Sequence, residues 1–107
     1  MELRTYTTIE GRKPFEEWLS GLKDRQARAR IAVRLTRVVA GNLGDCKPLR
    51  DGVQELRIDY GPGYRVYLSR QGAVLVLLLC GSDKGEQAAS IEQAVAYLND
   101  WKERGRP

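Results

Sequence analysis

Arg57, Arg65, Lys84 and Tyr67 are the side chains best equipped to act on a phosphate. An arginine fork grips two phosphate oxygens at once. Lysine adds a compact charge whose proton can be given up, and a phenol can donate or accept one. The chain contains no histidine. That excludes Ser-His-Asp and Cys-His nucleophile machinery and histidine-pair cleavage of RNA. Cys46 and Cys80 are the two cysteines, too few for a disulfide framework and, without histidine, for a structural zinc site. Neither is given a role. Gly61-Pro62-Gly63 lacks the third glycine of a dinucleotide fingerprint and precedes a strand, and there is no Walker A sequence. Any chemistry therefore rests on Arg, Lys, Tyr and carboxylates, and no metal or cofactor is expected.

Residues that act together must be brought together by the elements carrying them. Leu3 and Thr5 alternate with Arg4 and Tyr6, so Glu2 to Thr8 reads as a strand. Pro14 suits a helix start, and Phe15, Trp18, Leu19 and Leu22 follow at amphipathic spacing. Asp24 reads as the N-cap of a second helix, Arg25 to Ala40, with an apolar face of Ala27, Ile31, Leu35, Val38 and Val39. Its other faces carry Arg25, Arg28, Arg30, Arg34 and Arg37, read first as a solvated face and second as a surface for an acidic or nucleic-acid partner. A loop, Gly41 to Gly52, leads to three strands: Gln54 to Tyr60, Tyr64 to Ser69 and Ala73 to Cys80. The last is apolar on both faces, as a central strand is. Ile91, Ala94, Val95, Leu98 and Trp101 mark a final amphipathic helix, about Glu86 to Glu103. The expectation is one domain, residues 1–107, of the α+β class: β-α-α-β-β-β-α with a small, mostly antiparallel sheet packed by helices.

Composition agrees with a single globular domain of 107 residues, 42% hydrophobic and 30% charged. The longest apolar run, Ala73 to Cys80, is far below the ~20 residues of a membrane span. Met1-Glu2-Leu3-Arg4 opens no signal-peptide h-region. A cytoplasmic, reduced protein without membrane contact is expected. The net charge is +4. It is concentrated in residues 25–84, with eleven basic and five acidic side chains, a net of +6. Polyanion binding explains such a central excess, as does a solvated helix face with scattered lysines.

Turn positions give a provisional register. A hairpin centred on Pro62 sets Asp59 opposite Arg65 and Arg57 opposite Tyr67. A two-residue loop at Gln71-Gly72 sets Arg70 opposite Ala73 and Tyr64 opposite Leu79. The last strand then ends beside the Gly61–Gly63 turn, and Lys84 approaches Arg65. Three cations and a phenol thus meet near one sheet face, an arrangement suited to an anion. The same residues also fit an ordinary cross-strand ion pair, Asp59–Arg65, and an ordinary cation–π contact, Arg57 on Tyr67.

Five segments carry a family resemblance: Lys47-Pro48-Leu49, Gly52-Val53-Gln54-Glu55-Leu56-Arg57, Gly63-Tyr64-Arg65-Val66-Tyr67, Leu77-Leu78-Leu79-Cys80-Gly81 and Asp83-Lys84-Gly85-Glu86-Gln87. Together, over about residues 3–101, the chain resembles the HigB-like branch of the RelE/ParE toxin superfamily, the addiction-module killer proteins. The resemblance implies a RelE-like fold and the toxin of a type II toxin–antitoxin system, an endoribonuclease (mRNA interferase) acting on the translating ribosome. It implies a cognate antitoxin partner, in this branch often a helix-turn-helix DNA-binding protein. Arg65 matches the family's Gly-Tyr-Arg arginine, Lys84 the basic residue past the last strand, and Arg57 a basic position on the preceding strand. RelE's tyrosine early in the C-terminal helix has no counterpart in Gln87-Ala88-Ala89-Ser90-Ile91; Gln87 or Tyr67 would stand in for it. The expected catalytic set is Arg57, Arg65, Lys84, Tyr67 and Gln87. The expected RNA-binding set is Lys47, Arg50, Arg57, Arg65 and Lys84. The alternative function is non-enzymatic inhibition of DNA gyrase, as in ParE-type relatives sharing the fold.

Overall fold

The computed structural model describes residues 1–107. Five strands and three helices follow in the order β1 (Glu2–Thr5), α1 (Pro14–Gly21), α2 (Arg25–Val39), β2 (Cys46–Pro48), β3 (Gln54–Ile58), β4 (Tyr64–Gln71), β5 (Leu75–Asp83) and α3 (Gln87–Glu103), with a 3₁₀ turn at Lys84–Glu86. The sheet order is β1-β5-β4-β3-β2. Only β1 on β5 is parallel; the other pairings are antiparallel. The fold is α+β with a mixed five-stranded sheet. No helix is long and apolar enough to cross a membrane.

Helices cover both faces of the sheet, so there are two cores. Phe15 of α1 and Ala27, Ile31 and Val38 of α2 pack on Leu56, Ile58, Val66, Leu68, Val76 and Leu78. Ala94, Leu98 and Trp101 of α3 pack on the other face, against Val53, Tyr67, Leu77, Leu79 and Cys80. Asp24 caps α2, its carboxylate accepting from the backbone N–H groups of Gln26 (2.9 Å) and Ala27 (3.2 Å). Val39, expected on the apolar face of α2, is exposed at the helix end, and Ala40 lies at the C-cap. Arg34 does not belong to a solvated face: its guanidinium donates to the carbonyls of Arg57 and Leu43, fastening α2 to β3 and to the chain before β2.

The expected loop Gly41 to Gly52 contains a strand. Cys46 to Pro48 pairs with Leu56 to Gln54 at the sheet edge. It is only three residues long and ends on a proline, features that suit an edge and hide a strand from pattern reading.

The expected register needs correction. Arg57 pairs with Arg65, Glu55 with Tyr67 and Ile58 with Tyr64. Asp59 and Tyr60 leave the ladder. Gly61 and Gly63 both take positive φ, and the Gly63 N–H donates to the Tyr60 carbonyl (3.0 Å). Tyr60 swings to α2, where its ring lies 4.5 Å under the Arg30 guanidinium and its hydroxyl donates to Gln26 Oε1. In the next hairpin Gln71 pairs with Leu75, so the loop has three residues, and β5 runs on until Tyr64 faces Asp83 rather than Leu79. An irregularity between Tyr67 and Leu68 sets Tyr67 against Cys80 and Leu68 against Leu78. Leu79 is thus the extra residue of a bulge on β5. Beyond it, Gly81 meets α1: a β-carbon there would lie 2.2 Å from the Trp18 ring.

Candidate functional site

The β3–β4 register places Arg57 and Arg65 directly opposite each other on the α3-facing side of the sheet. Like charges so placed repel, and each has its own carboxylate. Arg57 is partly open, 42% exposed, and pairs with Asp45 Oδ1 at 3.2 Å. Arg65 is only 12% exposed, and its Nε lies 3.3 Å from Oε2 of Glu55, which is wholly buried. That contact is an ion pair off the line of a hydrogen bond, so Arg65 Nε–H has no hydrogen-bond partner. The far end of the guanidinium, Nη1, lies 3.5 Å from the Gly63 carbonyl.

Lys84 follows β5 on the 3₁₀ turn. Asp83 caps that turn by accepting from the Gly85 N–H (2.9 Å). With β5 ending opposite Tyr64, Lys84 stands across the turn from Arg65, as expected, although through a different pairing. Arg57, Arg65 and Lys84 line one cleft of about 450 Å³, together with Asp45, Asp59 and the Gly61-Pro62-Gly63 turn. Lys84 makes no ion pair, whereas both arginines do. Such a cleft offers two forks and a point charge to an anion, over walls that are mostly polar.

The remaining expected residues lie elsewhere. Tyr67 is fully buried, and its hydroxyl shares a 3.0 Å hydrogen bond with Ser82 Oγ. Burial holds that hydroxyl above the ordinary tyrosine range. Tyr67 does not reach the cleft, and the Arg57–Tyr67 stacking drawn from the provisional register does not form. Asp59 lines the cleft but forms no ion pair with Arg65; Glu55 takes that place. Gln87, the first residue of α3, donates from Nε2 to Glu55 Oε2 at 2.8 Å and likewise stays out of the cleft. Lys47 is exposed on β2 opposite Glu55. Arg50 is paired with Asp51 (2.6 Å) and with Glu92 of α3. Neither Lys47 nor Arg50 lines the cleft.

Glu55 is the residue that sequence reasoning left without a role. Alternation already put it on the face of Arg57. The missing step was that α3 covers this face, so a carboxylate there is buried and needs a cation. A second depression, about 490 Å³, runs along α2 past Arg30, Val33, Arg34 and Arg37. It is larger, but Arg34 is spent on carbonyls and Arg30 is stacked on Tyr60. The chemistry of the smaller cleft is the more specific.

The fold and the cleft define a class: a small α+β domain that gathers basic side chains at the turn end of an antiparallel hairpin. No protein-family model matches the sequence. A Haemophilus influenzae (strain ATCC 51907 / DSM 11121 / KW20 / Rd) protein bearing the name "Uncharacterized protein" is 55% identical over 94 residues, which is 88% of this chain and 91% of the relative. The chain belongs to the family of that Haemophilus protein.

Proposed function

We propose that the chain is a RelE/ParE-superfamily toxin of the HigB-like branch, which cleaves mRNA and is restrained by a cognate antitoxin. The observation carrying this reading is the direct opposition of Arg57 and Arg65, with Lys84 lining the same cleft. Cleaving RNA through its 2′-hydroxyl requires removal of that proton, stabilisation of the phosphorane charge and protonation of the departing 5′-oxygen. Two arginines suit the second task, often the largest electrostatic contribution. Lys84 is the group in the cleft suited to carrying a proton. The buried Tyr67 and the Gln87 tied to Glu55 are not used in this scheme. With no histidine to help, the rate depends on orientation, which a ribosome holding the mRNA would supply.

The deciding experiment treats purified protein with translating ribosomes and mapped mRNA, with a DNA gyrase assay alongside. Ribosome-dependent cleavage that disappears in Arg65→Ala while circular dichroism shows the variant still folded, and that also falls in Arg57→Gln, supports the reading. Gyrase inhibition without cleavage replaces it with the ParE-like alternative.

A further inference from the structure

We infer that Glu55 is a positioning residue for Arg65, working as the middle link of a chain that runs from the start of α3 to the cleft. This rests on the proposed use of Arg65 at a phosphate, but its geometry stands apart from any reaction. Glu55 is fully buried, and its Oε2 accepts from Gln87 Nε2 at 2.8 Å while lying 3.3 Å from Arg65 Nε. Its Oε1 has no hydrogen-bond partner. A buried carboxylate so sparingly satisfied is costly unless its charge is compensated, and Arg65 is the one cation paired with it. The attraction draws the Nε side of the guanidinium inward. The Nη1 end is left at the Gly63 carbonyl, in the cleft wall. Glu55 thus selects which edge of Arg65 meets an anion, and Gln87 fixes Glu55. The role expected of Gln87 in proton transfer becomes an indirect one, exerted through the carboxylate.

Glu55→Gln tests this, because it keeps the shape and an oxygen for Gln87 but removes the charge. The measurement is hydrogen exchange at Arg65 Nε–Hε, followed by NMR on ¹⁵N-labelled protein, with inorganic phosphate as the anion probe. Exchange should accelerate about tenfold or more in Glu55→Gln, and by less in Gln87→Ala, where the carboxylate stays charged but loses its tether. If the wild type cleaves RNA, kcat in Glu55→Gln should fall by about tenfold with KM little changed, as misplacement of a reacting group does. Unchanged Arg65 exchange in Glu55→Gln, with tighter phosphate binding, would mean that Glu55 merely offsets charge, and overturns the inference. Should Glu55→Gln fail to fold, Gln87→Ala decides alone, and unchanged exchange there overturns it. Absence of cleavage by the wild type sinks the proposed function and leaves the exchange result standing.

Discussion

Arg65 and Glu55 form an ion pair under the α3-covered face of the sheet, the arginine 12% exposed and the carboxylate not at all. Removing one member of such a pair leaves the other uncompensated. Arg65 therefore serves the fold as well as the cleft. Seen from alternation alone, it simply points off the face of Tyr64, Val66 and Leu68, and its removal would leave the core untouched.

Arg65→Ala should destabilise the protein by about 2–4 kcal/mol, toward the lower part of the range for breaking buried pairs because Arg65 keeps some solvent contact. The double variant Glu55→Gln with Arg65→Ala should regain at least half of the loss. Urea unfolding of the two single variants and the double variant measures the coupling. Strict additivity would show that the pair contributes nothing.

Lys84 and Arg57 line the same cleft on different terms. Arg57 is a surface pair with Asp45, so Arg57→Gln should cost no more than about 1 kcal/mol of stability. Lys84→Arg keeps the charge but fixes the proton. It should retain RNA binding and lose single-turnover cleavage rate, while Lys84→Ala loses part of both. Full cleavage by Lys84→Arg would reduce Lys84 to a charge.

Binding to RNA or ribosomes should weaken steeply with salt, since the net charge of residues 25–84 is +6, from eleven basic and five acidic side chains. Log affinity should fall linearly with log salt concentration. The slope should be shallower in Arg57→Gln. A flat response between low and moderate salt would assign the basic excess to something other than phosphate.

Stability should decline on the alkaline side. Burial, and then the hydrogen bond donated to Asp100 at 2.6 Å, push the Tyr6 hydroxyl up to about 12. Burial pushes the Cys80 thiol up to about 12 as well. In the unfolded chain the thiol ionises near 9 and the phenol near 10. As pH climbs past those values, the unfolded chain releases protons that the native protein keeps. Stability is therefore complete below about pH 9 and is lost progressively toward pH 12. Tyr6→Phe should make the fall shallower. Thermal unfolding from pH 8 to pH 11 checks this, and a flat profile would contradict it.

Gly81→Ala should be among the most damaging small substitutions. The added carbon meets Trp18 at 2.2 Å, and the ring must move off the sheet. Overpacking of this kind costs about 1–3 kcal/mol. Trp18→Ala should lessen the penalty in the double variant, which chemical unfolding can read directly.

The three helices, four of the five strands and the shared face of Arg57 and Arg65 could be read from periodicity and turn residues; β2, three residues ending on a proline, was read as loop. The reading put Arg57 opposite Tyr67, whereas it stands opposite Arg65. This slip by two positions preserved the face because side chains alternate with period two. Its cause was local: Asp59 and Tyr60 look like strand, but the ladder ends at Ile58 and Tyr60 packs on α2. The bulge residue Leu79 is one apolar residue within an apolar run, so nothing in its type marks it. Tyr67 and Glu55 were misjudged together. Both lie on a face that looked polar in β3 and β4, and only the docking of α3 makes that face an interior.

The parallel pairing of β1 with β5 also has a kinetic side. Glu2 to Thr5 hydrogen-bond with Leu75 to Leu78, so β1 waits for a partner made much later in the chain. The β3–β4–β5 meander closes through short hairpins and can form early; β1 adds only after a large loop closes. During synthesis β1 thus stays unpaired until β5 emerges, and the apolar β5 edge is open to neighbouring chains from completion of the meander until β1 docks. Ligands that grip the meander alone would not shield that edge, whereas any factor that hastens β1 docking would raise the yield of folded protein.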